Sequence, residues 1–221
     1  MARPLFEDRA DAGRQLAAVL VQTPRAPKPT VVLGLPRGGV PVAAVVAAAL
    51  DAPLDVVAVR KLGGPRHPEL ALGAIGEGGA RVVDTDLQRR TGVSDTELAA
   101  VEAAEIAELD RRLAVYRSGR PRLALDGARA VVVDDGVATG ATAEVACRVI
   151  RQLGAEEIVL AVPVAPADWT LRLAGAADEF VAVAAPRDFW AVGQWYARFD
   201  QTSDAEVIAL LGGADSRLSM P

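Results

Sequence analysis

The chain has 221 residues and carries 24 lysines and arginines against 29 aspartates and glutamates, a net charge of −5. That length supports one sizeable core with at most a small appended lobe, and the acidic balance gives no electrostatic basis for binding nucleic acid or an anionic membrane. The richness in Ala, Val, Leu and Gly with few aromatics favours a soluble α/β fold.

In chain order, Met1 to Arg14 carries acids and lacks an apolar h-region, which argues against a secretory signal. Residues 7–22 have the spacing of an amphipathic helix, with Leu16, Val19 and Leu20 on one side. Pro24, Pro27 and Pro29 form a stiff connection to a short strand, Thr30 to Leu33. The loop Gly34-Leu35-Pro36-Arg37-Gly38-Gly39 leads into a helix over Val40 to Leu50, with Pro41 in its first turn. This helix is the longest uncharged apolar stretch and is too short to span a bilayer. Leu54 to Val59 reads as a second strand and residues 60–69 as a Gly/Pro/basic loop. Leu70 to Ile75 and Arg81 to Asp84 pair as a hairpin around Gly76-Glu77-Gly78-Gly79.

Ser94-Asp95-Thr96-Glu97 is a capping box. It opens a helix with an apolar stripe of Leu98, Val101, Leu109, Leu113 and Tyr116, its charges forming a solvated face. Val131 to Val133 is a β-branched run that reads as a buried parallel strand. Asp134 and Asp135 follow it, then a small-residue loop, then an apolar helix from Val145 to Leu153 stopped by Gly154. That helix holds Cys147, the single cysteine. The thiol reads as a packing group, and its solitude fits a reducing cytoplasm. Ile158 to Val162 is another strand, followed by a short helix containing Trp169, Leu171 and Leu173. Phe180 to Val183 is the last strand, 186–200 an aromatic loop, and Ser203 to Leu211 a closing helix. Strands alternating with helices imply a doubly wound, mainly parallel sheet flanked by helices, with its site at the carboxyl ends of the strands.

The stretch 130–143 has a chemical logic of its own. A helix start presents unpaired N–H groups and the positive end of a dipole, which suit phosphate. Gly136, Gly140 and Ala141 permit close approach of an anion, and Thr139 and Thr142 offer hydroxyls. Asp134 and Asp135 are acceptor-only groups that cannot hold the same phosphate. They suit hydroxyl donors or a hydrated Mg²⁺ about one sugar away. A phosphate beside a diol describes a ribose 5-phosphate; an ordinary strand–turn–helix with acidic turn residues is the plainer alternative.

Val-Val-Val-Asp-Asp-Gly-Val-Ala-Thr-Gly-Ala-Thr resembles the phosphoribosyl-pyrophosphate (PRPP) motif of type I phosphoribosyltransferases. The likeness runs in order along most of the chain, and it is similar to the uncharacterised phosphoribosyltransferase proteins of bacteria. It implies a type I phosphoribosyltransferase fold with a small hood, comprising one domain over 1–221, a helical insertion at 84–120 and a hood loop at 186–200. It also implies Mg²⁺-dependent transfer of the 5-phosphoribosyl group from PRPP to a small nitrogenous base, with pyrophosphate as product. On this resemblance Asp134 and Asp135 hold the ribose hydroxyls or Mg²⁺, directly or through water. Gly136, Val137, Ala138, Thr139, Gly140, Ala141 and Thr142 hold the 5-phosphate, and Pro36, Arg37, Gly38 and Gly39 hold pyrophosphate.

Arg60 and Lys61 end the second strand, where a diphosphate leaving group wants cations. With Gly63-Gly64-Pro65-Arg66-His67-Pro68 they resemble the family's flexible loop, able to close over the site. Glu77 follows this Arg-Lys pair much as a glutamate implicated at the base does in adenine phosphoribosyltransferases; a surface turn acid is the alternative. Residues 189–199 hold five of the nine aromatics, Phe189, Trp190, Trp195, Tyr196 and Phe199. Phe189 or Trp190 is the candidate for stacking on the base, with Trp195 and Tyr196 as packing; a satellite core or dimer contact is the rival reading. Ala138 stands where hypoxanthine–guanine members carry an acid, which argues against a 6-oxopurine. Related proteins complete their site loops across a dimer, so a homodimer is compatible. The second functional reading is a non-catalytic, PRPP-binding regulatory protein on the same fold.

Overall fold

The computed structural model describes residues 4–65 and 67–218. The first helix, α1 (Arg9–Gln22), is capped by Asp8, whose carboxylate accepts the Asp11 N–H. Then come β1 (Thr30–Gly34), α2 (Gly39–Leu50) and β2 (Leu54–Val56). An antiparallel lobe follows, β3 (Val59–Gly64), β4 (His67–Gly76) and β5 (Arg81–Val83), with α3 (Thr85–Thr91) and α4 (Asp95–Arg117) behind it. The chain returns through β6 (Arg129–Val133), α5 (Ala141–Gln152), β7 (Glu157–Val164), α6 (Trp169–Arg172), β8 (Glu179–Ala184) and α7 (Asp204–Leu218).

The five-stranded sheet is parallel throughout, in the order β2-β1-β6-β7-β8. Its strands are apolar on both faces, and their alternating side chains divide between two cores. Val32, Val131, Val133, Val159 and Ala161 face α1, α2 and α7. Val31, Leu33, Ala130, Val132, Ile158 and Leu160 face α5 and α6. Strands buried on both sides are what an uninterrupted β-branched run produces under crossover helices. This is the doubly wound, mainly parallel sheet flanked by helices that the sequence predicts. The small antiparallel sheet β3-β4-β5 stands beside it and serves as the hood, the place that the sequence reading assigns to the loop 186–200.

Two sequence expectations need correction. Leu54–Val59 is not one strand: pairing with β1 ends at Val56, and Val59 begins the other sheet. Residues 60–69 are not a loop either. Val59–Gly64 pairs antiparallel with His67–Gly76, with register irregularities at Leu62–Gly63 and Gly63–Gly64. The glycines and Pro65 that read as loop punctuation are a hairpin turn and its bulges. Leu62 and Leu72 are both fully buried and anchor the hairpin in the core shared with Leu98 and Leu109 of α4. Arg66 lies outside the described residues, as do the side chains of residues 67–69.

The capping box at Ser94 forms as read, and Leu98, Leu109, Leu113 and Tyr116 are buried, with Val101 packed at their edge. Residues 84–120 hold α3 and α4. Among the described residues, no helix is long and apolar enough to cross a membrane.

Candidate functional site

In this strand order β1 and β6 are neighbours whose following helices leave on opposite faces of the sheet, which opens a crevice between the loops beyond their carboxyl ends. The two loops are in contact. The Leu35 N–H donates to the Val133 carbonyl at 2.9 Å. A Cβ on Gly39 would sit 2.6 Å from the Val133 carbonyl oxygen and 2.8 Å from the Asp134 Cα. A Cβ on Gly38 would fall 2.0 Å from Asp135 Oδ2. The loop after β1 thus lies directly on the acid pair: at 39 the obstacles are backbone atoms and glycine is required, whereas at 38 a Cβ would displace the Asp135 carboxylate. The Pro36–Arg37 peptide in this loop is cis.

The two carboxylates differ in their partners. Asp134 Oδ1 accepts the Asp135 N–H at 2.9 Å. Burial, and then the charge on Asp135, hold the Asp134 carboxyl well above the usual range. Asp135 Oδ2 accepts from Arg9 Nε at 2.9 Å and lies 2.8 Å from Arg9 Nη2. Burial raises Asp135 too, and the Arg9 charge opposes it. The Arg9 guanidinium lies 4.1 Å from the centroid of the Phe199 ring and donates to the Asp200 carbonyl. The Tyr196 hydroxyl donates to the Asp135 carbonyl at 2.6 Å, with its own pKa driven up by burial. Arg9 and the Tyr196 hydroxyl are the site contacts that sequence reasoning missed. Arg9 sits in an ordinary amphipathic helix start, and nothing local to it signals a partner at Asp135.

Between Asp135 and α5, Gly140 takes φ +87°, and a Cβ there would also meet Leu173 Cδ2 at 2.7 Å. Ala138, Thr139, Ala141 and Thr142 are exposed at the mouth of the crevice, and the first turn of α5 leaves its N–H groups without i−4 partners. Val137 departs from the expectation of phosphate binding. Its side chain is buried and its N–H donates to the Val164 carbonyl at 3.0 Å, so it packs the loop rather than presenting a donor.

The hood brings its basic pair to the same end of α5. Arg60 and Lys61 line a cavity of about 270 Å³ with Ala141, Thr142 and Val145. Arg60 is paired with Glu105 of α4 at 2.6 Å, whereas Lys61 is exposed. Arg37, in the other loop, reaches Asp204 at the start of α7 at 3.8 Å.

Glu77 does not join them, which corrects its reading as a catalytic group. It is buried and accepts both Nη atoms of Arg117, at 2.6 and 3.0 Å. Arg117 also donates to Asp55 at 2.9 Å and to the Val56 carbonyl at 3.1 Å. This network ties α4 and the hood to the edge of the parallel sheet. A buried carboxylate committed to one guanidinium has no free lone pairs aimed at a ligand.

In the aromatic segment Phe189 stacks on Trp195, with ring centroids 6.4 Å apart. Trp195 and Tyr196 pack with Phe6 in a third apolar cluster. Trp190 is 89% exposed. Phe189 and Trp190 line a cavity of about 400 Å³ with Ala138 and Thr139 of the loop after β6. Cys147 is fully buried and its thiol is pushed up to about 12 by burial, so it packs and does not react.

Fold and site together define a doubly wound α/β protein with an acid-tipped crevice at its topological switch point. Residues 6–177 match the family model for the phosphoribosyl transferase domain, and the chain belongs to that family. It is 57% identical over 210 residues to proteins of two Mycobacterium tuberculosis strains, CDC 1551 and H37Rv, each named "Putative phosphoribosyl transferase". The match covers 95% of this chain and 47% of each relative, so the chain spans about half their length. It is also similar to the crystal structure of TT1426 from Thermus thermophilus. That likeness has 46% identity and a TM-score of 0.81, covering 93% of this chain and 97% of that one.

Proposed function

We propose that the chain transfers the 5-phosphoribosyl group of PRPP to a nitrogenous base and releases pyrophosphate. The observation that carries this reading is the contact between two anion-suited loops across one acid pair. The loop after β1 meets Asp134 and Asp135 so closely that a Cβ at 39 would strike backbone and one at 38 would displace the Asp135 carboxylate. A diphosphate on one side of a ribose and a phosphate on the other match that spacing of functions better than any single anion does.

In this reading the exposed Ala138, Thr139, Ala141 and Thr142, with the start of α5, hold the 5-phosphate. Asp134 and Asp135 take the ribose hydroxyls. Arg37, Gly38 and Gly39 hold the leaving diphosphate, with Lys61 and Arg60 as added positive charge. The C1–O bond to pyrophosphate breaks and a C1–N bond to the base forms through an oxocarbenium-like state. No protein nucleophile is needed, and rate enhancement comes from positioning and charge stabilisation. Two adjacent carboxylates fit Mg²⁺, which binds through one or two carboxylates, retains water and shares substrate phosphates. Asp134 in particular accepts one backbone N–H and forms no ion pair with another described residue. When bound, Mg²⁺ would neutralise charge on the diphosphate. The compartment that fits this chemistry and a single reduced cysteine is the cytoplasm.

The test is pyrophosphate release from PRPP and Mg²⁺ across purine, pyrimidine and pyridine bases. Release with a base supports the transferase. PRPP binding with no release across the panel assigns the non-catalytic regulator instead, and absence of PRPP binding overturns the reading of the acid pair.

A further inference from the structure

Resting on the transferase reading, the walls of the Phe189–Trp190 cavity indicate what kind of acceptor enters it. We propose that this cavity takes a planar heterocycle carrying an anionic substituent, with Trp190 as the stacking face and Arg187 as the partner of the anion.

The cavity opens beyond the carboxyl ends of β7 and β8, against Ala138 and Thr139. Its volume of about 400 Å³ lies within the range of small-molecule sites, about 300–1,000 Å³. Trp190 is 89% exposed and lines the cavity, so its ring is open to a planar occupant. The other two tryptophans, Trp169 and Trp195, are both buried.

The charged side chains of the lining bear on the charge of the occupant. Part of that lining is committed within the protein. The Pro166 carbonyl accepts the Trp169 N–H, and the Asp168 carbonyl accepts from Leu171 and Arg172. Asp168 Oδ2 accepts from Arg172 Nε at 2.8 Å, which also cancels that pair's charge. Among the neighbouring carbonyls, Pro186 accepts the Ala167 N–H and Asp188 accepts from Gln194 Nε2. The Trp190 and Ala191 N–H groups both donate to Gln194 Oε1. Of the three charged side chains in the lining, Asp168 and Arg172 pair with each other and Arg187 is left over. It lines the cavity and forms no hydrogen bond or ion pair with another described residue. Its guanidinium is an uncompensated fork of donors in a chain whose net charge is −5. A carboxylate takes donors alone, arranged as a guanidinium presents them, and gains from the unpaired charge as a neutral base does not.

The experiment has two arms on the full chain. Calorimetric titration with ribose 5-phosphate and Mg²⁺ tests the underlying reading. Quenching of tryptophan fluorescence then compares orotate with uracil and nicotinate with nicotinamide. The expected result is binding of each acid about 10-fold tighter than its neutral counterpart. Arg187→Gln, at an exposed position, should abolish that ratio while leaving the neutral ligands unchanged, and Trp190→Phe should remove the quench. Equal binding of acid and neutral forms, or a ratio that survives Arg187→Gln, overturns the inference even when ribose 5-phosphate binds. Failure of ribose 5-phosphate to bind overturns the transferase reading, and the acceptor role falls with it.

Discussion

Arg9 and Asp135 stand 126 residues apart and form one ion pair, in which Nε and Nη2 both reach the same carboxylate oxygen at 2.9 and 2.8 Å. The pair fastens the first helix to the acid tip of the central strand. It also supplies a positive charge beside two carboxylates that would otherwise repel each other. Removing one member leaves a largely buried charge without its partner. Arg9→Met should therefore destabilise the fold by about 3 kcal/mol in denaturant titration. Asp135→Asn in the Arg9→Met background should cost much less than it does alone. Fully additive costs would mean that the two groups are not coupled.

Asp134 predicts an opposition between stability and ligand binding. Its folded pKa is raised above the unfolded value by burial and by Asp135. For such a group the favourable contribution is complete below the unfolded pKa and is lost as pH rises through the folded one. Above the unfolded pKa this carboxyl is therefore a burden on the ligand-free fold. Asp134→Asn keeps the side-chain oxygen that accepts the Asp135 N–H but carries no charge. Its melting temperature should exceed that of the parent at pH 7–8, and the gain should shrink as pH falls toward about 4. The same substitution should weaken ribose 5-phosphate binding. A melting temperature below the parent's at neutral pH would refute this account.

Glu77 separates a structural role from a catalytic one. Its carboxylate closes the Asp55–Arg117–Glu77 network between the hood and the parallel sheet. Glu77→Gln should lower stability by about 2 kcal/mol, because a charge-assisted, buried pair is lost. The turnover of the folded fraction, measured well below the melting temperature, should change less than about 3-fold, within an RT-sized barrier shift. A drop of several hundred-fold in kcat with an unchanged melting temperature would restore Glu77 to the reaction.

Gly39 tests the contact between the two loops. A methyl group there meets the Val133 carbonyl and the Asp134 Cα, both backbone atoms that cannot rotate away. Gly39→Ala should cost about 2 kcal/mol through overpacking and should weaken PRPP binding further than the stability loss explains. Gly212→Ala is the control. That glycine is helical, a Cβ on it meets nothing within 4 Å, and alanine is the better helix former, so stability there should hold or rise slightly.

Much of the arrangement is written locally. The run Val131–Val133, the acids after it and the small-residue loop opening α5 specify a buried strand, its tip and a helix start within one short segment. The capping box at Ser94 likewise sets the start of α4. Hydrophobic period and capping chemistry act between near neighbours, so sequence alone determined the alternation of strands and helices and the place of the central motif. Tertiary structure decided the rest. It split Leu54–Val59 between two sheets, because where a strand stops depends on which partner its backbone can reach. It turned the glycine-rich basic stretch into a hairpin, because Leu62 and Leu72 find a core only when α4 is in place. It buried Glu77 against Arg117, and it delivered Arg9 to Asp135 from the far end of the chain. Each of these depends on residues brought together by folding, and charge pairing across such distances leaves no periodic mark in the sequence.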